Sequence, residues 1–255
     1  MAHRGGARWR RKRRGSIESA CRAPEFPARC LFRPIPKGRA EGFQRVSRVQ
    51  PHGHAIVAQV TTLPIVQIGH PALRQRAREV PNEQFDTPEL RRICADLVET
   101  MRAANGAGLA APQVDIPMRI FAVEVGDNPR YPYKPRLGLR VLVNPVVRPV
   151  SEETYQSYEG CLSIPDLRGL LTRHTEVDVT YLDPDGSEHV ERFGGPSAGT
   201  MQHELDHLDG VLFPDRVHDP TTFCTWAMFR TYHEEAWVES IQPLLARFPG
   251  EPGTS

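Results

Sequence analysis

The stretch TMQHELDHLDG, residues 200–210, carries two histidines and a glutamate in the order H-E-x-x-H. Residues four apart share one face of a helix, so His203 and His207 can hold one metal ion. Glu204 then lies beside that ion, within reach of a water molecule on it. The spacing indicates a metal-dependent hydrolase, but two histidines do not complete a metal site.

The sequence around this motif leaves the third metal ligand open. A longer motif continues to a third histidine, and this chain follows it through Gly210 but then has Phe213, whose ring cannot bind a metal. A later glutamate, Glu234 or Glu235, is a second route and would describe a zinc endopeptidase. The motif is also short enough to arise by chance in a chain with ten histidines.

Composition divides the chain into a basic arm and an acidic body. Residues 1–60 hold 14 Lys and Arg against 3 Asp and Glu, whereas the remainder holds 18 against 28. The arm has no sustained apolar period, so we expect a disordered N-terminal extension over residues 1–60 and a catalytic domain over residues 61–255. No apolar run approaches the roughly 18 residues of a membrane span, and we expect no membrane partner.

The arm permits three interpretations. It can be a non-native extension from an upstream start codon, an organellar targeting segment, or an RNA- or ribosome-binding tail. Its many arginines and few acids are similar to a transit peptide, but Gly and Pro interrupt any amphipathic face. We expect no sequence-specific nucleic acid partner.

Two segments predict helices besides the one that bears H-E-x-x-H. Residues 86–106 offer Thr87 as N-cap and Pro88 at the first helical position, with Asn105-Gly106 as the stop. The apolar stripe of that helix consists of Leu90, Ile93, Cys94, Leu97 and Met101. Residues 219–248 have helical periodicity with Asp219 or Thr221 as the cap.

The strands predict an α+β fold. Residues 119–125 and 140–147 have strand character, and residues 176–193 alternate on both sides of a Pro-Asp-Gly turn, which indicates a hairpin. We expect antiparallel β-sheets packed around a central H-E-x-x-H helix, with an N-terminal and a C-terminal helix. Because Pro196 and Gly199 weaken its first turn, the central helix is expected to start late, near Ser197 or Ala198.

GAGLAAPQ, residues 106–113, matches a dinucleotide-binding pattern that we reject. That pattern needs a strand before it and a helix after it, whereas here a helix precedes and Pro112 obstructs helix continuation. The glycines Gly106 and Gly108 instead allow close approach of the backbone to another group, or simply a tight turn. Gln113 must find hydrogen-bond partners if it is buried.

YEGCLSIPDLRG, residues 158–169, contains one of five cysteines, none of which forms a C-x-x-C pair. A free cysteine is commonly a small buried apolar residue. Cys161 differs because glycine precedes it and Ser163-Ile164-Pro165 follows, which places it at an irregular strand end or turn.

GAGLAAPQ, EGCLS and QHELDHLDG, in this order, resemble the peptide deformylase family. The resemblance covers residues 63–217, including VQIGHPALR near its start and LFPDR after the helix. It implies a metal-dependent hydrolase that removes the N-formyl group from the N-terminal methionine of newly synthesised proteins and releases formate.

The resemblance also implies a role for each motif residue. Cys161 would be the third ligand beside His203 and His207, and Glu204 would take and return a proton. The developing oxyanion would meet the Gln113 amide and the Leu162 backbone N–H. The residues implied to bind substrate are Gly106, Gly108, Gly160 and Arg168, and those implied to pair beneath the site are Glu159 and Arg173.

The same resemblance implies cofactor, partners and location. The ion would be Fe²⁺, with Zn²⁺, Ni²⁺ or Co²⁺ as substitutes, because two imidazoles and a thiolate suit several divalent metals. The partners would be N-formyl-methionyl nascent chains, with transient contact at the ribosome exit region. The location would be the bacterial cytoplasm, with organellar targeting by the arm as the alternative.

Overall fold

The computed structural model describes residues 60–128 and 130–251. The predicted N-terminal extension therefore lies outside the described residues, apart from Val60. The helices are α1 (Pro88–Ala103), α2 (Gly195–Leu208), α3 (Trp226–Tyr232), α4 (Glu234–Ser240) and α5 (Gln242–Arg247). The strands are β1 (Gly108–Ala110), β2 (Ile120–Val125), β3 (Leu137–Pro149), β4 (Thr154–Cys161), β5 (Ile164–His174), β6 (Glu176–Leu182), β7 (Glu188–Gly194) and β8 (Cys224–Thr225).

Two antiparallel sheets surround α2, as the sequence predicted. The larger sheet has the order β1-β2-β3-β6-β7, and the smaller has the order β4-β5-β8. The predicted hairpin pairs Glu176 with Gly194 and Leu182 with Glu188. Helix α2 contacts strands of both sheets, so it occupies the centre of the fold. No helix in the described ranges is both long and apolar enough to cross a membrane.

Strand β2 separates two halves of the core. Successive strand residues point to opposite faces, so Phe121 packs with Met201 and Leu208 of α2, while Ile120 packs on the other face with Leu97 of α1. All five side chains are fully buried. The alternation anchors one helix on each face of the larger sheet.

Helix α1 has the predicted boundaries and face. Thr87 caps it, with its hydroxyl accepting a hydrogen bond from the Leu90 N–H at 3.2 Å, and Pro88 occupies the first position. Asn105 follows with a φ of 51°, in the left-handed region where a helix terminates. Of the five predicted apolar positions, Ile93 is partly buried. The other four are buried: Leu90, Cys94, Leu97 and Met101.

Helix α2 begins at Gly195, not near Ser197 or Ala198 as the sequence suggested. Pro196 falls in the first turn, where its missing N–H has no helical partner to lose. Gly199 is accommodated by packing: a Cβ there would lie 2.3 Å from the Tyr155 hydroxyl, so only glycine lets β4 approach this closely. Tertiary packing therefore outweighs the low helix propensity of this segment.

The predicted C-terminal helix is divided into three short helices, α3, α4 and α5. Asp219 accepts a hydrogen bond from the Thr221 N–H, but it caps a short 3₁₀ turn, and the first α-helix is capped by Thr225 instead. Strand β8 intervenes and pairs with β5. The predicted cap was therefore wrong, because the sequence does not show that Cys224 and Thr225 join the sheet.

Candidate metal centre and active site

Three side chains from two elements converge as a potential metal site. His203 and His207 lie one turn apart on α2, and Cys161 ends β4. The Cys161 Sγ lies 3.2 Å from His207 Nε2, and the ligand atoms of all three residues lie within 4.8 Å of one another. A thiolate and two imidazoles are a suitable donor set for a divalent transition metal.

A buried ion-pair network orients this site. Glu159 Oε2 lies 2.8 Å from His203 Nδ1, so that nitrogen donates and leaves Nε2 to face the site. Arg173 donates to both Glu159 oxygens at 2.8 and 2.9 Å and to Asp206 Oδ2 at 2.8 Å. Burial alone would raise the pKa of the Glu159 carboxyl, but Arg173 and His203 hold it well below its usual range.

The electrostatics favour positive charge between Cys161 and Glu159. Burial alone would lower the pKa of His203, yet its hydrogen bonds with Cys161 and Glu159 raise it well above the ordinary value. Burial, together with the neighbouring His203, lowers the pKa of His207 well below its ordinary value, which keeps that imidazole neutral as a ligand must be. Glu159 and Cys161, which favour a proton on His203, would also favour a metal cation at the same place. These residues therefore fit a divalent ion.

Glu204 is placed to exchange protons in this site. It is 4% exposed, and its Oε2 has no hydrogen-bond partner within the described part of the chain. Burial raises the pKa of its carboxyl to about 7. A group with that pKa can accept and return a proton near neutral pH.

Gln113 is held in a fixed orientation beside the cysteine. Its Oε1 accepts a hydrogen bond from the Ala110 N–H at 2.8 Å, so its Nε2 must face the opposite way. The Nε2 lies 3.4 Å from Cys161 Sγ and 3.2 Å from Ser163 Oγ. The partners that the sequence required for this buried amide are therefore the β1 backbone and the EGCLS segment.

One narrow cavity of about 60 Å³ connects these residues. Its lining includes nine of the ten residues predicted for the site: Gly106, Gly108, Gln113, Gly160, Cys161, Leu162, Arg168, His203 and Glu204. The tenth, His207, is 1% exposed and contacts the cavity-lining Cys161 through its Nε2. The structure thus brings all the sequence-predicted site residues together.

The cavity also contains residues that the sequence analysis missed. They include Tyr131, Tyr133, Lys134, Tyr155, Ser157, Pro196, Thr200 and Trp237. Three of them belong to the segment YPYK, residues 131–134, between β2 and β3. An aromatic cluster around a lone lysine was the signal available in the sequence, but nothing in its spacing indicated which surface it would cover.

The alternative ligands lie elsewhere. Glu234 and Glu235 begin α4 and line a separate open groove formed largely by residues 230–245. Neither belongs to the group of close ligand atoms, which consists of Cys161, His203 and His207. The described residues therefore do not support the endopeptidase arrangement.

The H-E-x-x-H helix lies between two antiparallel sheets, and a cysteine and a buried glutamate lie beside its histidines. This arrangement is typical of a metal-dependent hydrolase. Residues 62–222 match the family model for polypeptide deformylase. The chain belongs to that family, and it is an enzyme that removes the N-formyl group from N-terminal methionine.

Individual relatives agree with this assignment. The chain is 42% identical over 160 residues to peptide deformylase 1 of Nitrosomonas europaea, a match covering 63% of this chain and 90% of the relative. It is 43% identical over 155 residues to peptide deformylase 2 of a Nostoc species, covering 61% and 86%. A class I type b peptide deformylase from Acinetobacter baumannii, crystallised with Met-Ala-Ser, superposes with a TM-score of 0.61 at 38% identity, covering 62% of this chain and 100% of that one.

Proposed function

We propose that deformylation by this chain uses Cys161, His203 and His207 to hold a divalent ion and Glu204 to move protons. The observation that carries this proposal is the convergence of these four side chains at one cavity. When bound, the ion polarises the formyl group and makes water a stronger acid. The remaining chemistry belongs to side-chain and backbone groups of the protein.

Glu204 acts first as a base and then as an acid. It removes a proton from the attacking water and later delivers one to the nitrogen that leaves as the free amino terminus. Its pKa of about 7, raised by burial, suits both steps. Since its Oε2 has no other partner among the described residues, the carboxylate is free to serve the water.

Gln113 and Leu162 stabilise the oxyanion that develops on the formyl oxygen. The Gln113 Nε2 is aimed towards Cys161 by the Ala110 hydrogen bond, so it is oriented before substrate binds. Leu162 follows the cysteine directly and lines the same cavity, and its backbone N–H is the proposed second donor.

The peptide substrate binds between two edge strands. Strand β1 is at one end of the larger sheet and β4 is at one end of the smaller, and both border the cavity. Gly108 on β1, Gly160 on β4 and Gly106 just before β1 carry no side chains, so an extended peptide can add to these edges through backbone hydrogen bonds. Arg168 lies beside Gly160 on the substrate side. We propose that Met-Ala-Ser, found bound to the Acinetobacter enzyme, fits this chain in the same way.

We further propose Fe²⁺ as the physiological ion, with Zn²⁺, Ni²⁺ or Co²⁺ able to replace it, because the donor set suits all four. The enzyme is proposed to act on N-formyl-methionyl nascent chains in the bacterial cytoplasm, with transient contact at the ribosome exit. Residues 61–255 are the proposed catalytic domain. Deletion of residues 1–58 is then expected to leave turnover of a short peptide unchanged within about twofold.

An anaerobic preparation tests the proposal. Formate release from formyl-Met-Ala-Ser, measured with the metal content of the same sample, should show one divalent ion per active chain and no cleavage of acetyl-Met-Ala-Ser. Chelation should abolish turnover, and Fe²⁺ should restore it best. Casein cleavage without formate release would instead favour an endopeptidase. Cosedimentation with ribosomes, with and without residues 1–58, tests the ribosome contact.

A further inference from the structure

A groove of about 350 Å³ lies between α1 and the start of β3. No described residue lines both this α1–β3 groove and the catalytic cavity. Leu139 is 39% exposed in the groove, and the volume is more than ten times the roughly 30 Å³ of a water molecule. The groove can therefore receive apolar side chains. Its apolar lining consists of Val60, Cys94, Ala95, Val98, Leu139 and Val141.

The described part of the chain begins at this groove. The Thr61 N–H donates to Asp96 Oδ1 at 2.8 Å, so Thr61 lies on one flank of α1. Val60 instead lines the groove together with Cys94. Successive residues of an α-helix are rotated by about 100°, so Cys94 and Asp96 lie about 200° apart around α1. The chain therefore crosses α1 between Thr61 and Val60, and the residues before Val60 start at the groove.

The sequence just before Val60 has the composition that an apolar groove favours. Residues 55–60 read AIVAQV, and all Lys, Arg, Asp and Glu of the arm lie within residues 1–48. Ile56 and Val57 are β-branched, so they favour the extended backbone that a narrow groove requires. The groove's two charged residues, Glu99 and Arg102, have opposite signs and give no preference for a charged occupant.

Direct attachment favours this segment over a separate molecule. A tethered segment meets its site at an effective concentration of about 1 mM or more, because no translational freedom is lost on docking. Here the segment continues from Val60, so no long linker has to be ordered before the first side chain reaches the groove. A second copy of the chain or another partner would have to displace it.

We propose that residues 55–59 occupy the α1–β3 groove, with Ile56 and Val57 packed against Leu139 and Val141. The proposal moves the boundary between the basic arm and the body from residue 60 to about residue 55. It also fixes the point at which the arm leaves the body, on the side of α1. It goes beyond the deformylation proposal and does not depend on it, since the groove and the catalytic cavity share no described residue.

Thiol labelling in the full chain tests the proposal. Leu139→Cys places a reactive group in the groove, and its labelling rate is followed by mass spectrometry of the peptide that contains position 139. Ile56→Asp with Val57→Asp should raise that rate at least about tenfold, because a carboxylate is costly to bury beside apolar side chains. A rise below about twofold would overturn the proposal.

Leu31→Asp with Phe32→Asp is the matched control. It makes the same change in apolarity and charge elsewhere in the arm, so labelling at Leu139→Cys should stay within about twofold of its value in the unaltered arm. An equal rise in both double variants would overturn the proposal, since the arm would then act without using the segment. Val190→Cys, at a position on β7 that is 70% exposed, should label equally fast with every arm sequence.

Protein concentration distinguishes the segment from a second copy. Protection at Leu139→Cys should be the same in dilute and concentrated samples, because docking within one chain does not depend on concentration. Protection only in concentrated samples would mean that a second copy covers the groove, and would overturn the proposal. Turnover of formyl-Met-Ala-Ser within about twofold of wild type confirms that each variant is folded. If Leu139→Cys fails this criterion, Ala95→Cys on α1 replaces it as the probe of the same groove.

Discussion

Gly108 fixes how closely β1 approaches the catalytic carboxylate. A Cβ at this position would lie 2.3 Å from Glu204 Oε1 and 2.7 Å from its Cδ, whereas ordinary contact begins at 3.4 Å. Gly108→Ala therefore requires the two groups to separate by about 1 Å. Glu204 is 4% exposed, so little free space is available and its carboxylate must leave the position in which we propose that it serves the reaction.

A displacement of that size costs about 100-fold in rate when it affects a catalytic group. We expect Gly108→Ala to lower kcat for formyl-Met-Ala-Ser about 100-fold, measured as formate release. KM should rise as well, because the new methyl group borders the strand edge proposed to hold the peptide. Metal content should not change, since the three atoms nearest to the new methyl group all belong to Glu204, which is not among the proposed metal ligands.

Gly126→Ala is the matched control. A Cβ at Gly126 would meet nothing within 4 Å, so this variant should keep kcat within about twofold of the wild type. The reasoning is refuted if Gly108→Ala, folded and metal-loaded, keeps kcat within about threefold. It is also refuted if the variant loses activity only because it loses its metal.

Three further substitutions test the site. Glu204→Ala should keep the metal but lose at least about 100-fold in turnover, and survival of activity within a few-fold would contradict its proton-transfer role. Cys161→Ser should lose most of its metal in elemental analysis, because a hydroxyl is a poorer ligand than a thiolate for a soft ion. The double variant Glu234→Gln with Glu235→Gln should keep its metal. The reverse result would restore the endopeptidase interpretation. Arg173→Met should reduce the free energy of unfolding in urea by about 3–5 kcal/mol, since it leaves buried carboxylates without their partner, and a loss below about 1 kcal/mol would show that this partner is dispensable.

Local signals in the sequence predicted the elements whose stability is local. Thr87 and Pro88 mark the start of α1 because cap and first-turn preferences depend only on neighbouring residues. The hairpin of β6 and β7 was predicted for the same reason, since its turn lies between two alternating strands. The start of α2 was predicted wrongly, because the weak first turn is stabilised by a distant contact. Gly199 is required there by the Tyr155 hydroxyl, which lies on a strand more than 40 positions away in the sequence.

The site residues also separate into those that local sequence predicts and those that depend on tertiary contacts. The histidine spacing is a property of one helix and could be predicted, but Cys161 was assigned as third ligand only from the family resemblance. Lys134 was missed because its partner, Thr200, is 66 positions away and neither residue belongs to a motif. The division of the C-terminal segment was missed because strand β8 forms only by pairing with β5, which is a tertiary contact.

Arg173 explains how two distant segments form one metal site. Glu159 lies two residues before Cys161 on β4, and Asp206 lies between the two histidines on α2. Arg173 binds both carboxylates, so it joins the strand that carries the thiol to the helix that carries the imidazoles. Glu159 in turn fixes the His203 ring through Nδ1. Because all three contacts are made by the protein alone, they orient the side chains that we propose as metal ligands, so less binding energy would be spent on ordering them.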